Sequence, residues 1–308
     1  MLRSIVAIAL AGTILGVACA PTPPNPLESE GSSIRPKPSE ANDSEKIEVL
    51  NIAVIPWQSS GKHEAKIEIL ADYLQEALKV PVNIQITKDY DTSVDLLVEE
   101  KVQMAYLGPF TYVKAKERNP QLEPIVAHIE KSTGRPWYSS TIVVQTDSGI
   151  NKVEDLKDKR FGFVSQSSTS GYLVPSGEFK KIGLVAERDF AAIAYAGSHD
   201  KNTAALVAGK VDAIAIDKAT LDRARDSGLL PPEGYKVIWE SDPIPNSPIV
   251  ISSRLSSQFK FALKKALIDA PSVVVDVSGS QSDGYTLVGD EDYEIIRQLQ
   301  ELMKLDSK

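Results

Sequence analysis

The sequence predicts an α/β fold of two matched lobes, and three observations carry that reading. From residue 47 onward strand-like and helix-like patterns alternate, as in folds whose mostly parallel sheets are covered by helices. Two passages, "LLVEEKVQMAYLG" (96–108) and "AALVAGKVDAIAID" (204–217), repeat the same order of helix, short turn and strand. The 308 residues are 42% hydrophobic and 25% charged, an ordinary globular composition. A chain of this length builds one large domain or two of about 130 residues each. Matched lobes place the natural ligand site in the cleft between them.

The chain opens with "MLRSIVAIALAGTILGVAC". Arg3 supplies a short basic start, and the apolar run from Ile5 to Ala18 is too short to span a bilayer comfortably, so residues 1–18 read as a signal peptide. Cys19 is the only cysteine, which rules out an internal disulfide, and it stands where an exported lipoprotein is cleaved and lipidated. "GVAC" resembles that cleavage motif, with Gly16 in place of the usual leucine and Leu15 one position earlier. Residues 19–46 are rich in Pro, Ser, Glu and Asn and bury too little apolar surface to order themselves, so they read as a lipid-anchored tether. A net charge of −8 without a Lys/Arg cluster argues against a nucleic-acid surface.

The folded part begins near Ile47. "IEVLNIAVI" (47–55) reads as a buried strand, and "KIEILADYLQEALK" (66–79) as a helix with Ile67, Leu70, Leu74 and Leu78 on one stripe. Strand 80–87, helix 93–101 and strand 102–108 complete the first series. The second series reads strand 138–146, helix 153–159, strand 160–164, helix 171–183, a strand-like "FAAIAYAG", helix 203–210 and strand 211–217. Residues 235–253 are extended and broken by prolines, and helices 256–270 and 291–305 close the chain.

The chemistry concentrates in "SQSSTSGYLVPS" (165–176), between a strand and a helix. Such a run is a plain loop, a nucleophile on a turn, or a cradle for an anion. A cradle follows because backbone N–H groups at a helix start lack intrahelical acceptors and the helix dipole adds partial positive charge. Simple capping needs one hydroxyl, whereas Ser167, Ser168, Thr169 and Ser170 offer four. No phosphate-loop, dinucleotide or G-x-S-x-G pattern is present. His63 and His128 sit in polar surroundings and are expected to face solvent, while His199 is placed on a loop at the sheet's C-terminal edge as a donor to an anion. Asp217 and Tyr106 end matching strands and are expected to face the cleft; Asp212 is expected to be structural. A carboxylate beside an anion accepts a hydrogen bond from a protonated oxygen, which selects against sulfate. The scattered histidines show no metal-ligand spacing, so neither metal nor cofactor is expected.

These residues resemble the phosphate, phosphite and phosphonate substrate-binding proteins of ABC transporters. The likeness runs from about Ile47 to Ile251 and is sharpest in "AYLGPFTYVKAKER", "SSTSGYLVPS", "AGSHDKNTAALVAGKVDAIAID" and "SDPIPNSPIV". It implies a two-lobe, type II periplasmic-binding-protein fold with crossover strands near 137–142 and 239–248. Lobe 1 would comprise residues 47–137 and 246–308, and lobe 2 residues 138–245. The resemblance assigns the oxyanion to Ser168, Thr169 and Ser170, with His199 as a further donor, Tyr90 and Tyr138 bonding from the other lobe, and Asp217 reading a ligand proton. Tyr106 and Trp57 would wall the cleft. It implies a monomer, held outside the cytoplasmic membrane by lipid on Cys19, that passes phosphite, methylphosphonate or phosphate to an ABC permease without turning it over. An amino-phosphonate is disfavoured, since Asp217 is the one acidic residue read near the ligand, with Ala219, Asn246 and Ser247 beside it. The competing expectation is an exported hydrolase of a phosphate or acyl ester, with Ser168 or Ser170 as nucleophile and His199 as base; a sensor domain is a third, disfavoured because no second membrane segment or signalling module follows.

Overall fold

A computed structural model of the chain describes residues 47–58, 61–275 and 282–304. The leader, Cys19, the tether and the side chain of His63 lie outside the described residues. In chain order the first elements are β1 (Leu50–Val54), α1 (Gly61–Leu78), β2 (Val82–Ile86), α2 (Tyr90–Val98), β3 (Met104–Tyr106), α3 (Pro109–Arg118) and β4 (Glu123–Glu130). After the two-residue β5 (Trp137–Tyr138) come β6 (Ser140–Gln145), β7 (Arg160–Phe163), α4 (Val174–Lys181), α5 (Ala186–Asp189), β8 (Ala192–Tyr195), α6 (His199–Val207), β9 (Ala213–Asp217), α7 (Lys218–Asp226) and β10 (Tyr235–Glu240). The chain returns through β11 (Ile244–Pro245) and β12 (Pro248–Ile251) to α8 (Ser257–Ile268), α9 (Ser272–Val275), β13 (Ser282–Leu287) and α10 (Glu294–Lys304).

Two mixed sheets form the lobes, ordered β13-β4-β12-β3-β1-β2 and β10-β6-β9-β7-β8. The core of each is parallel, β2-β1-β3 in one and β8-β7-β9 in the other. In each the next strand arrives from across the hinge and runs antiparallel: β12 beside β3 and β4, β6 beside β9 and β10. The sheets are therefore mixed where a mostly parallel arrangement is expected from the strand-helix alternation. The hinge itself is the small antiparallel pair of β5 and β11, with Tyr138 opposite Ile244 and Trp137 opposite Pro245. Strand β1 is apolar apart from Asn51 because both its faces are covered: Leu50, Ile52 and Val54 join one core cluster, Ala53 joins the other.

Several elements differ from the pattern-based expectation. Helix α3 shows no apolar stripe because Pro109 through Val113 are all buried between the lobes. Helix α7, "KATLDRARD", is too polar to register, and strands β4 and β13 carry Pro124 and Gly284. "VEDLKDK" makes only a single 3₁₀ turn, Val153–Leu156. Helices α2 and α6 start three and four residues earlier than their apolar spacing indicates, because Asp89 and Ser198 cap them by accepting from the N–H groups of Thr92 and Lys201. That shift matters: Tyr90 and His199 are each the first residue of a helix.

Candidate functional site

The hydroxyl run forms the cradle at a π-helical turn. Strand β7 ends, Ser168 caps the next helix by accepting from Gly171 N–H at 3.1 Å, and Thr169–Leu173 form a π turn that continues into α4. Leu173 N–H bonds Ser168 O, and Val174 N–H bonds Thr169 O, five residues back in each case. Pro175 has no N–H to offer the Gly171 carbonyl, so that oxygen accepts from Val164 N–H at 3.0 Å and ties the helix to the strand. The freed Ser170 carbonyl accepts from Ser140 Oγ at 2.6 Å. Gly171 is required by space: a Cβ there would lie 2.4 Å from Val164 Cγ2. The outcome is a buried helix start with the N–H groups of Thr169 and Ser170 lacking intrahelical acceptors.

Ser168, Thr169 and Ser170 line a cavity of about 40 Å³ between the lobes. Each water needs ~10–15 Å³ by this measure, so the cavity suits one small tetrahedral ion. Tyr90, Tyr138, Trp57 and Gly108 also line it. The Tyr90 hydroxyl is buried and makes no hydrogen bond among the described residues. Burial, then the negative charge of Asp217, pushes the Tyr90 phenol well above its ordinary pKa, and burial does the same to Tyr138. Both stay neutral O–H donors.

His199 and Asp217 form one unit of the wall. Nδ1 of His199 lies 3.0 Å from Asp217 Oδ2 and 3.2 Å from the Asp217 backbone N. Asp217 also caps α7, its two oxygens accepting from Thr220 N–H (2.6 Å) and Thr220 Oγ1 (2.7 Å). Burial works to raise the Asp217 carboxyl pKa, but His199, Arg223 and Thr220 outweigh it and hold the group well below the usual carboxylate range. With Nδ1 committed to Asp217, the other imidazole nitrogen is the one left for the cavity. Asp212 is structural, as expected, gripping Arg160 through Nε (3.1 Å) and a terminal nitrogen (2.6 Å).

The site departs from the sequence reading at five places. Tyr106 does not line the cavity: alternation along β3 turns it with Met104 into the core packed by α1 and α8, where its hydroxyl meets that of Tyr285. His199 is a helix residue, its N–H bonded to the Trp57 carbonyl at 2.9 Å, and no hydrogen bond joins it to a serine among the described residues. His128 is buried rather than solvent-facing; it and Glu130 share one face of β4 and both line the cavity. Asn246 Nδ2 lies 2.8 Å from His128 Nε2 and 3.1 Å from Glu130 Oε1, so a second acidic residue stands beside Asp217. Arg223, one turn beyond Ala219 on α7, adds a cation to the wall, a residue the sequence reading did not name.

The lobes meet directly around the cavity. Thr111 Oγ1 donates to Ser167 O, Phe110 N–H to Thr169 Oγ1, and His199 N–H to Trp57 O, each at 2.9 Å. Ser167 Oγ donates to Asp91 Oδ1 at 2.6 Å and receives Lys114 Nζ at 2.5 Å. The arrangement is closed. Among the described residues no group of three or more His, Cys, Asp or Glu is placed to hold a metal, and no helix is long and apolar enough to cross a membrane.

Two mixed sheets joined by paired crossover strands, with a cavity closed between them, define a type II periplasmic binding protein. Residues 52–293 match the family of periplasmic substrate-binding proteins of phosphonate ABC transporters, and the chain belongs to that family. It is 30% identical over 225 residues to the phosphate-import protein PhnD of Mycolicibacterium smegmatis, covering 70% of each chain. It is 31% identical over 228 residues to the phosphonates-binding periplasmic protein of Escherichia coli, covering 72% of this chain and 66% of that one. A binding protein component of an ABC phosphonate transporter from Pseudomonas aeruginosa superposes with a TM-score of 0.74 at 26% identity, over 83% and 86% of the two chains.

Proposed function

We propose that this protein is the extracytoplasmic receptor of an ABC importer and captures one small phosphorus oxyanion, phosphite or methylphosphonate ahead of phosphate, without converting it. The observation that carries the proposal is the pairing of a hydroxyl-lined helix start with a buried Tyr90 hydroxyl, which makes no hydrogen bond among the described residues, across a cavity the size of one tetrahedral ion. Binding begins on the exposed cradle of the second lobe, where N–H and hydroxyl donors take two oxygens. Closure brings Tyr90 and Tyr138 onto the remaining oxygens and expels water, so that neutral donors act in a low dielectric. The ionised Asp217 accepts from a P–OH and repels a fully deprotonated ion such as sulfate.

The hydrolase reading lacks support in the same geometry. Ser168 Oγ is engaged as a helix cap and His199 faces Asp217, with no serine–histidine hydrogen bond among the described residues to make a nucleophile. We place lobe 1 at residues 47–137 and 246–308, lobe 2 at 138–245, and the lipid on Cys19, with the chain acting as a monomer beside its permease. Calorimetric titration with phosphite, methylphosphonate, phosphate and sulfate tests the proposal. Binding of at least one phosphorus oxyanion and none of sulfate is expected; sulfate binding as tight as phosphite, or silence toward all four, overturns it.

A further inference from the structure

A second and larger cavity, of about 630 Å³, adjoins the oxyanion cavity, and three residues, Glu130, Tyr138 and Ala219, line both. At this shared boundary Ala219 contributes only a methyl group. The larger cavity lies against the hinge strand β5, and its wall carries Trp137, a large apolar side chain left 37% exposed. Arg135 stands in the same wall and forms no ion pair among the described residues, whereas Lys218 is taken up by Asp222 at 2.5 Å. An exposed indole and, in the wall of the same cavity, a guanidinium with no ion pair among the described residues are the groups that receive a flat aromatic group, by stacking and by cation–π attraction.

We propose that this cavity is a subsite for the organic substituent of a phosphonate, and that it admits an aromatic substituent while the phosphorus oxygens remain on the Ser168–Ser170 cradle. The inference rests on the phosphorus-oxyanion reading of the smaller cavity. Glu130 sits at the junction, so the atoms of the substituent nearest phosphorus pass a carboxylate, which disfavours a further anionic group at that point.

The test is calorimetric titration of the full chain with phosphite and with phenylphosphonate, for the natural sequence and for Trp137→Ala and Ser132→Trp. Neither position lines the oxyanion cavity. Phenylphosphonate is expected to bind the natural protein within about tenfold of phosphite, by the modest size of single aromatic contacts. Both substitutions should weaken phenylphosphonate by roughly tenfold, one by removing the stacking face and one by filling the space, with phosphite held within about twofold. Phenylphosphonate more than a hundredfold weaker than phosphite in the natural protein overturns the subsite. Parallel weakening of both ligands in both variants also overturns it, because the substitutions then act on the hinge. If phosphite, methylphosphonate and phosphate all fail to bind, the underlying reading falls and the subsite with it.

Discussion

The Asp91 carboxylate and the Ser167 hydroxyl meet at 2.6 Å across the cleft, with Lys114 Nζ on both of them at 3.0 and 2.5 Å. Ser167 belongs to the cradle segment but does not line the cavity, and Asp91 follows Tyr90 on α2. Burial raises the Asp91 pKa, but hydrogen bonds from Ser167 and Lys114 outweigh it and leave the carboxyl below its ordinary value. The three groups hold the lobes together outside the ligand's own contacts.

Removing that contact should therefore affect closure more than folding. Ser167→Ala is expected to weaken ligand affinity by roughly three- to tenfold, about the worth of one charge-assisted hydrogen bond. The melting temperature without ligand should stay within about two degrees, since the contact joins the two lobes and belongs to the core of neither. Affinity measured by calorimetry should also fall with added salt more steeply in the natural protein than in the variant, because half-exposed charges are screened.

Tyr90 supplies a test with opposite signs for stability and binding. Its hydroxyl is buried without a hydrogen bond among the described residues, so Tyr90→Phe should leave stability unchanged or raise it by up to about 1 kcal/mol. Ligand affinity should fall about tenfold, equivalent to ~1.4 kcal/mol. A thermal scan with and without ligand reads both effects; loss of stability in the ligand-free scan would remove Tyr90 from the site.

The parts of this site that were legible in the sequence are those whose chemistry is local. Four hydroxyls after a strand and before an apolar helix mark the cradle because helix starts need donors and caps nearby in sequence. The wall contributed by β4 is not legible, because the second residue of "EPIVAHIE" is a proline, Pro124, which speaks against a strand. Once it is a strand, alternation puts Val126, His128 and Glu130 on one face, and the two polar ones reach the cavity. Tyr106 fails for the same reason in reverse: its place at a strand end is right, but its parity points it at Tyr285. Arg223 lies one helical turn after Ala219, a proximity that becomes visible only with helix α7 in place.

Asp217 predicts a pH dependence. A carboxyl pKa held below its unfolded value means that the folded chain binds fewer protons than the unfolded chain. The stabilisation is complete above the unfolded value of about 4 and is lost as pH falls through the lower folded value. Asp217→Asn retains a capping side chain but removes the charge, so it should cost about 1–3 kcal/mol at neutral pH. In melting curves taken from pH 7 to pH 2, the gap between natural protein and variant should hold down to about pH 4 and narrow below it. A gap that widens on acidification would contradict the assignment.

Gly108 sits beside two contacts between the lobes, and its requirement is one of space. Its backbone φ of −71° suits any residue, but a Cβ would lie 3.3 Å from Thr111 Oγ1 and 3.4 Å from Thr169 Oγ1. Both threonine hydroxyls make interlobe hydrogen bonds, to Ser167 O and from Phe110 N–H. Gly108→Ala thus wedges the two contacts at once, and Gly108→Val wedges them further, while each lobe retains its own core. Fold stability should change by no more than about 1 kcal/mol, the scale of exchanging the residue that caps α3. Ligand dissociation should quicken by roughly tenfold for alanine and more for valine, since closure contacts set the off-rate. Stopped-flow release of a bound phosphorus oxyanion measures this directly, and equal off-rates across glycine, alanine and valine would show that the lobes close without using this approach.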